Sequence, residues 1–324
     1  MNFFTHIDIK PLPAPITYAH KVMLIGSCFT EHIGNSLSES KFQTLQNPNG
    51  ILFEPASVCR SLVSYIQNRQ YSAADLHLYN ELYQSWDHHS RFSNPDRDLC
   101  LNGINASQQN AHRFLKEADW LIITLGSSFV YKLQETRRDV ANCHKAPASW
   151  FEKYLIPIDE QIAGLDNTIH QLFHFNPKLK IIFTISPVRH LRDGVSENNR
   201  SKARLIETVH HLVQKFDRLF YFPAYELVID VLRDYRFYDI DLAHPNYAAT
   251  QFVMEHFTDY AFDPATKALL TEIRQLVIAR KHKPFHSDSS QHRDFLNRNL
   301  LKAEALSKLY PYLDFSSEIS YFNA

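Results

Sequence analysis

The sequence predicts an α/β fold, a three-layer α/β/α sandwich in which a parallel sheet lies between two layers of helices. Short apolar runs typical of buried strands alternate along the chain with longer segments of helical periodicity. The clearest strands are 22–25, 120–125 and 180–187, and a short fourth begins at Tyr221. Strands that alternate with helices form parallel sheets covered on both faces, and ligands bind such sheets at the carboxyl ends of the strands.

The first strand leads into the stretch best suited to hold a nucleophile. It ends at Gly26, and Ser27 and Cys28 follow before a helix predicted over 29–40. A turn from strand into helix presents a side chain at the end of the sheet, and the N–H groups at a helix N-terminus favour negative charge. Ser27 and Cys28 are therefore the candidate nucleophiles.

Further helices and a C-terminal extension complete the predicted architecture. Helical periodicity is found over 54–70, 107–118, 158–175, 198–217, 224–233 and 247–259. Residues 71–118 are rich in polar residues and predict an irregular insertion, with short strands around 79–86 before the helix at 107–118. Pro264 marks the boundary between an α/β domain over 1–262 and a C-terminal helical extension over 263–324. This extension is expected either to cap the domain or to form a homo-oligomer contact.

The composition argues against several classes of function. Of 324 residues, 44% are hydrophobic, and the net charge of −1 gives no field that would attract nucleic acid or an anionic membrane. The four cysteines form no CxxC pair, the N-terminus lacks the apolar core of a signal peptide, and no apolar run is long enough to span a membrane, so we expect a cytoplasmic protein. The paired histidines at 88–89 and 210–211 lack partners at zinc-ligand spacing, so neither a metal nor a cofactor is expected.

A base and a group to orient it occur together late in the α/β domain, as His244 and Asp241. At a spacing of three residues, the carboxylate can hold one imidazole nitrogen while the other nitrogen faces a nucleophile. Pro245 disfavours helical geometry at His244 and so favours an extended loop. Together with the turn at Ser27 and Cys28, this pair predicts a nucleophile–His–Asp triad.

A series of short motifs occurs in the order in which one known family carries them. They are GSCFT (26–30), NPNGI (47–51), TLGS (124–127), CHK (143–145), SPVRH (186–190), NRSKA (199–203), FPAYE (222–226), LRDYRFY (232–238) and HP (244–245). By these motifs the chain resembles the GSCFA family of the SGNH/GDSL hydrolase superfamily. The resemblance implies a flavodoxin-like sandwich of the SGNH-hydrolase type. It also implies hydrolysis or transfer of an acyl ester, with a carbohydrate or small metabolite as the substrate.

The nucleophile motif departs from the superfamily pattern. In register with Gly-Asp-Ser-Leu, Cys28 stands where the nucleophilic serine would be, and Ser27 replaces the aspartate. A thiol is chemically suited to the role, because it ionises more readily than a hydroxyl and forms a thioester. A motif shifted by one residue would use Ser27 instead, and a third interpretation makes Cys28 a packing residue, the usual role of a free cysteine.

A second departure affects the oxyanion site. Ser128, after Gly126 and Ser127, stands where the superfamily has an asparagine that donates to the oxyanion. One such donor contributes about 3–4 kcal/mol, so another group would have to replace it. The candidates are the backbone N–H groups of the nucleophile and of Gly50, and the side chains of Ser127, Ser128, Asn142 and His144. Gly126 is expected at the same oxyanion and substrate-binding site. Arg189 and His190, after the third strand, are candidates to bind a substrate carboxylate or phosphate.

The sequence thus predicts a hydrolase that acts on an acyl ester. Cys28 or Ser27 would attack the carbonyl carbon, His244 would act as the base, and Asp241 would orient it. The alternative is a non-catalytic member of the same fold, in which loop residues such as Arg189 hold a polar ligand.

Overall fold

The computed structural model describes residues 5–286 and 289–323. Its strands, in chain order, are β1 (Lys21–Gly26), β2 (Gln43–Gln46), β3 (His77–Tyr79), β4 (Leu82–Gln84), β5 (Trp120–Leu125), β6 (Phe129–Leu133), β7 (Asp139–Val140), β8 (Phe151–Leu155), β9 (Lys180–Ile185) and β10 (Leu219–Tyr221).

The helices alternate with the strands of the central sheet and then continue to the C-terminus. They are α1 (Cys28–Glu39), α2 (Pro55–Ile66), α3 (Arg97–Glu117), α4 (Ile158–Phe175), α5 (Val195–Lys215), α6 (Ala224–Glu226, continued by a π-helix over Leu227–Leu232), α7 (Tyr247–Ala261), α8 (Pro264–Lys281), α9 (Ser290–Leu309) and α10 (Ser316–Phe322). Within the described residues, none of the helices has both the length and the apolar character needed to cross a membrane.

The five central strands are all parallel and lie in the order β10-β9-β5-β1-β2. Counted along the chain, this is the 2-1-3-4-5 order of flavodoxin-like folds, which confirms the predicted three-layer sandwich. The strand order reverses between β1 and β5, and a crevice opens at the carboxyl ends of strands at such a point. The topology therefore directs attention to the ends of β1 and β5.

Side-chain alternation along the strands divides the core between the two faces of the sheet. On β1, Val22 and Leu24 pack with α1, α7 and α8, whereas Met23 and Ile25 pack with α2, α3, α4 and α5. Because both faces are covered, β1, β5 and β9 are buried along almost their whole length. This burial explains why they form continuous apolar runs in the sequence.

Several elements differ from the sequence prediction. The helix expected over 107–118 begins earlier, at Arg97, because the Asp96 side chain caps it and accepts from two backbone N–H groups at 2.8 and 3.0 Å. The strand expected to begin at Tyr221 ends there, and the helix expected over 224–233 is π-helical beyond Glu226. Strand β2 and the antiparallel sheet β7-β6-β8 were not predicted, since their short, partly exposed strands lack an apolar run.

The C-terminal helices share a core with the α/β layers. Side chains of α8, α9 and α10, including Ile273, Ala303 and Phe322, belong to the same buried cluster as Ile33 of α1. Glu318 of α10 is buried and accepts a hydrogen bond from Lys41 at 2.7 Å, so the end of α1 is linked to the end of the chain. The division at residue 263 stays a prediction about the sequence, and the core itself is continuous across it.

Strands β1 and β5 approach each other closely at Gly26, and a substitution there tests how much this contact matters for stability. Gly26 has φ near +139°, and a Cβ there would lie 2.1 Å from the Thr124 carbonyl oxygen. We expect Gly26→Ala to lower the free energy of unfolding by roughly 3 kcal/mol or more, measured by urea unfolding, because neither the backbone angle nor the contact can be relieved cheaply.

Gly164, exposed in α4, is the matched control. A Cβ at this position meets no atom within 4 Å. Gly164→Ala should therefore raise the free energy of unfolding by about 0.5–1 kcal/mol, through helix propensity alone. Equal effects of the two substitutions would contradict the account given for Gly26.

Candidate active site

A cavity of about 650 Å³ lies at the carboxyl ends of β1, β5 and β9. Cys28 lines it after β1, Ser127 after β5, and His190 after β9. The loop that holds Asp241 and His244 closes another side. Four segments that are distant in sequence thus meet at the point where the strand order reverses, which is the preferred ligand position in this class of sheet.

Cys28 is the first residue of α1, and its side chain is partly buried in the cavity wall. Burial raises the pKa of the Cys28 thiol above its ordinary value, and the charge of Glu31 adds to the rise. The backbone N–H groups of Phe29 and of Cys28 itself, together with the ammonium of Lys202, act in the opposite direction. Because burial is the largest effect, the thiol is protonated at neutral pH.

Ser27 has a different environment from its neighbour. It is the N-cap of α1, it is 1% exposed, and its Oγ finds no hydrogen-bond partner among the described residues. Its Cβ lies beside Gly126, since a Cβ added at Gly126 would be 3.2 Å from the Ser27 Cβ. Cys28 lines the cavity and Ser27 does not.

His244 and Asp241 form a hydrogen-bonded dyad in the loop before α7. His244 Nδ1 lies 2.5 Å from Asp241 Oδ2, and Asp241 Oδ1 accepts from the backbone N–H groups of Ala243 and His244 at 3.0 Å each. These bonds, above all the one from the His244 N–H, lower the pKa of Asp241 to about 2, so the carboxylate stays ionised. Leu242, with φ near +56°, provides the left-handed turn that brings the two side chains together.

The loop after β9 contributes Arg189 and His190 to the cavity. Burial lowers the pKa of His190 to about 4, so the ring is neutral, and its hydrogen bond to the Gly126 carbonyl opposes this shift. The Arg189 guanidinium lies 4.9 Å from the ring centre of Tyr238. The Arg189 backbone N–H donates to the Ala243 carbonyl at 3.1 Å, which connects this loop to the His244 loop.

Two of the side chains expected at the oxyanion site line the cavity, Ser127 and Asn142. Ser127 Oγ accepts from the Phe129 N–H at 3.0 Å and lies 3.3 Å from Ser201 Oγ. Where Ser201 is the donor of that pair, the Ser127 proton is available to a ligand. Asn142 Oδ1 accepts from the His144 N–H at 2.8 Å, which leaves the amide Nδ2 as a donor.

The other expected oxyanion donors are bonded elsewhere. The N–H groups of Gly50 and Gly126 each donate to a backbone carbonyl at 2.7 Å. The Ser128 hydroxyl donates to a carbonyl of α5 at 2.9 Å, so it faces away from the cavity. His144 is buried, and its Nε2 lies 2.8 Å from the carbonyl oxygen of Ser85. None of these four residues lines the cavity.

Lys202 of α5 is a residue that the sequence analysis did not single out. It is 1% exposed, and its ammonium donates to the carbonyls of Gly126 and Ser186 at 2.6 Å each. Burial lowers its pKa to about 7, while the nearby Cys28 acts to raise it. A sequence signal exists, because Lys202 falls on the buried stripe of α5 with Asn198, Ser201, Leu205, Thr208, Val209 and Leu212.

Comparison with known families decides the assignment. The GSCFA family model matches residues 21–257, and a model described as the C-terminal domain of GSCFA domain proteins matches residues 273–324. The chain belongs to the GSCFA family. The matched region includes the whole central sheet and the dyad loop, and it confirms the resemblance inferred from the motifs.

The GSCFA protein was also compared with curated proteins and with solved structures. No curated protein matches it. Among solved structures it is similar to an acetyl xylan esterase, Est2A, from the rumen bacterium Butyrivibrio proteoclasticus, with 12% sequence identity and a TM-score of 0.36. The alignment covers 76% of this chain and 64% of that esterase, so the GSCFA protein spans less than two thirds of the length of the esterase.

Glu54 and Cys143 also line the GSCFA cavity. Burial raises the pKa of the Glu54 carboxyl to about 7 and that of the Cys143 thiol to about 11, because the charged form of each group loses contact with water. Glu54 also caps α2 by accepting from the Ser57 N–H at 3.1 Å. Within residues 5–286 and 289–323, no group of three or more His, Cys, Asp or Glu side chains is placed to hold a metal ion.

The buried ammonium of Lys202 predicts a pH-dependent stability. Its pKa is about 7 in the folded protein and about 10.4 in an unfolded chain, so the unfolded chain binds more protons between these values. The contribution of Lys202 to the free energy of unfolding therefore rises with pH from about 7 to 10, on the order of 1 kcal/mol per pH unit.

The measurement compares urea unfolding of the wild type with Lys202→Met at pH 7, 8 and 9. The free energy of unfolding of the wild type, minus that of Lys202→Met, should increase with pH. The wild type gains stability as Lys202 deprotonates in the folded state, and the variant has no such group. Lys308→Met, at an exposed position of α9, controls for the loss of one lysine. A Lys202→Met difference that is constant across this range would contradict the lowered pKa.

Proposed function

We propose that this GSCFA protein hydrolyses or transfers an acyl ester, with Cys28 as the nucleophile, His244 as the base and Asp241 as its orienting partner. One observation carries the proposal: a thiol at a helix N-terminus and a His–Asp dyad line the same cavity at the switch point of the sheet. This combination of nucleophile, base and orienting carboxylate is the arrangement that acyl transfer requires.

The proposed reaction has two steps. In the first, His244 Nε2 takes the thiol proton as Cys28 Sγ attacks the acyl carbon, and the ionised Asp241 balances the imidazolium charge. The same proton passes to the leaving alkoxide, so the alcohol departs and a thioester remains. In the second step, His244 deprotonates a water molecule that attacks the thioester, and the proton returns to Cys28 as the acid leaves. An alcohol in place of water gives acyl transfer.

The environment of Cys28 supports its role over that of Ser27. The Ser27 side chain is buried and does not line the cavity. Cys28 lines the cavity as the first residue of α1, where the backbone N–H groups of Phe29 and Cys28 act to lower the pKa of its thiol. Because burial keeps the thiol protonated, the reaction needs a base, and the dyad supplies one. All four cysteines are free, as a reducing cytoplasm would maintain them.

Three donors are available for the developing oxyanion. They are the backbone N–H of Cys28 at the start of α1 and the cavity-lining side chains of Ser127 and Asn142. In this proposal Ser127 or Asn142 takes over the task of the asparagine that the superfamily carries at the position of Ser128.

The cavity wall supports a substrate whose alcohol part is polar. Aromatic side chains of Phe53, Phe129 and Tyr131 line the cavity together with charged groups. The Lys153 ammonium lies 4.4 Å from the ring centre of Phe129 and is paired with Asp193, and Arg189 adds a second cation. Aromatic faces with adjacent hydrogen-bond donors suit a sugar ring or a small polar metabolite, and a volume of about 650 Å³ is enough for a ligand of that size.

Substitution of the proposed triad tests the assignment. Cys28→Ala should lower kcat/KM for a short-chain chromogenic ester at least ~10³-fold, and His244→Ala should lower it ~10²–10⁴-fold. Ser27→Ala is the matched control, since this hydroxyl lies outside the cavity, and it should change the rate by only a few-fold. If Ser27→Ala is as inactive as His244→Ala while Cys28→Ala is active, the nucleophile assignment is wrong.

The thioester itself is a second test, and it separates an enzyme from a ligand-binding protein. Rapid quenching during turnover, followed by peptide mass spectrometry, should find one acyl group on the peptide that contains Cys28, and neutral hydroxylamine should remove it. The acyl adduct should be absent from Cys28→Ala. Saturable ester binding without turnover or acylation would instead support the non-catalytic alternative.

A further inference from the structure

A second cavity, of about 280 Å³, lies beside the active-site cavity and is here called the rim pocket. Its wall is formed by the π-helix that continues α6, the turn that follows it and the loop after β9, with the lining residues Arg189, Ile229, Asp230, Arg233, Tyr235 and Tyr238. Arg189 also lines the active-site cavity, so the two spaces share one wall. Four of the six lining residues belong to the motifs 186–190 and 232–238, which contain no member of the proposed triad.

The rim pocket is connected to the loop that holds the proposed base. Tyr238 pairs with Pro245, the residue after His244, in an antiparallel bridge. The Arg189 backbone N–H donates to the Ala243 carbonyl, on the other side of His244. The pocket and the base are therefore held by the same segments of the chain.

The two guanidinium groups that line the rim pocket are available to a ligand. Within the part of the chain that the structure describes, neither Arg189 nor Arg233 forms an ion pair with a carboxylate, and neither guanidinium donates to a backbone carbonyl. Arg236, three residues after Arg233, is by contrast paired with Asp234 at 2.9 Å. The carboxylate that lines the pocket, Asp230, is exposed to water, which weakens its repulsion of an anion.

Aromatic rings hold the Arg189 guanidinium in place. It lies over the rings of Tyr238 and Tyr235, at 4.9 and 5.7 Å from the ring centres. A contact with an aromatic ring positions a guanidinium without occupying its N–H donors. Arg189 also acts to lower the pKa of the Tyr238 hydroxyl, and a hydrogen bond between the two would use one of the five guanidinium donors. The other donors are left for a ligand.

An unusual backbone conformation brings the second guanidinium to the pocket. Arg233 has φ near +47° and ends the π-helix, where its backbone N–H donates to the Val228 carbonyl at 3.0 Å. A left-handed conformation costs a residue with a Cβ roughly 1–2 kcal/mol. Such conformations are concentrated at ligand sites. Here the conformation occurs at a residue that lines the same small pocket as Arg189.

We propose that the rim pocket binds a phosphate or carboxylate group carried by the alcohol part of the substrate. The guanidinium groups of Arg189 and Arg233 bond to the anionic oxygens, since a planar fork matches both kinds of group. A volume of about 280 Å³ suits such an end group better than a whole ligand. The rest of the alcohol passes Arg189, and the ester lies in the active-site cavity with Cys28. This inference rests on the proposed acyl-ester function and names its substrate class, the acyl esters of anionic alcohols.

Calorimetric titration tests the rim pocket without turnover. The protein is the full chain with Cys28→Ala, and the probes are glycerol 3-phosphate, glycerate and glycerol, which differ in the anionic group. At least one of the two anions should bind saturably at one site and at least ~10-fold more tightly than glycerol, because charge-assisted hydrogen bonds are added. The anion that binds more tightly identifies the group as phosphate or carboxylate.

Arginine variants then locate the bound anion. Arg233→Gln should weaken its binding at least ~10-fold, and the exposed position of Arg233 means that no core packing is lost. Arg189→Gln, with folding checked by circular dichroism, should have an effect of the same size. Arg236→Gln is the matched control, since it makes the same charge change at a side chain that is paired with Asp234 and does not line the pocket. It should leave binding unchanged.

A turnover measurement completes the test. The monoacetyl ester of the tighter-binding anion should have a kcat/KM at least ~10-fold above that of monoacetylglycerol, and Arg233→Gln should abolish most of this preference. Absence of saturable binding for both anions overturns the rim pocket. Binding that survives Arg233→Gln, or that is weakened equally by Arg236→Gln, also overturns it.

Failure of the rim pocket and failure of the acyl-ester function give different results. Hydrolysis of both esters with equal kcat/KM overturns the anionic substrate class and leaves the acyl-ester function standing. Anion binding that depends on Arg233, without hydrolysis of either ester, supports the pocket and contradicts the acyl-ester function.

Discussion

A buried lysine ammonium connects the strand ends from which the candidate active site is built. Lys202 donates to the carbonyls of Gly126 and Ser186, the residues immediately after β5 and β9. An ammonium without a carboxylate partner is costly to bury, which is why its pKa is low, but leaving two buried carbonyls unpaired would also be costly. The Gly126 carbonyl also acts to raise the pKa of His190, so its influence reaches a side chain that lines the cavity.

Opposing influences act on the pKa of the Cys28 thiol near the same strand ends. Burial and Glu31 favour the neutral thiol, whereas the α1 N-terminus and Lys202 favour the thiolate. The dyad is arranged differently, because Asp241 and His244 are about half exposed and depend on backbone N–H bonds within their own loop for their geometry. The proposed nucleophile thus lies at the junction of β1 and α1, and the proposed base lies in a surface loop.

The central fold could be predicted because strands buried on both faces carry an unmistakable pattern. Strands β1, β5 and β9 are continuous apolar runs, and the polar residues at their carboxyl ends predicted where a ligand would bind. Edge strand β2, with the sequence Gln-Thr-Leu-Gln, has no such pattern and is defined only by its pairing with β1. The Asp241–His244 contact was predictable from spacing alone, since both residues lie in one short loop.

Side-chain direction at the strand ends could not be predicted from the sequence. Ser127 and Ser128 are adjacent, yet the first lines the cavity and the second bonds to α5. The same one-residue difference separates Cys28 from Ser27. These directions depend on which tertiary partner lies behind each residue, and a pattern of residue types contains no such information. Lys202 was missed as well, although its place on the buried stripe of α5 is a signal that the sequence contains.

The core shared by the first strand and the last helices has a consequence for how the chain is made. Val22 and Leu24 of β1 belong to one buried cluster with Phe315 and Phe322, near the end of the sequence. A ribosome releases the chain from its N-terminus, so β1 and α1 emerge long before the helices that complete their side of the sheet. Until α8, α9 and α10 have emerged, the part of this apolar face that they cover stays exposed to solvent.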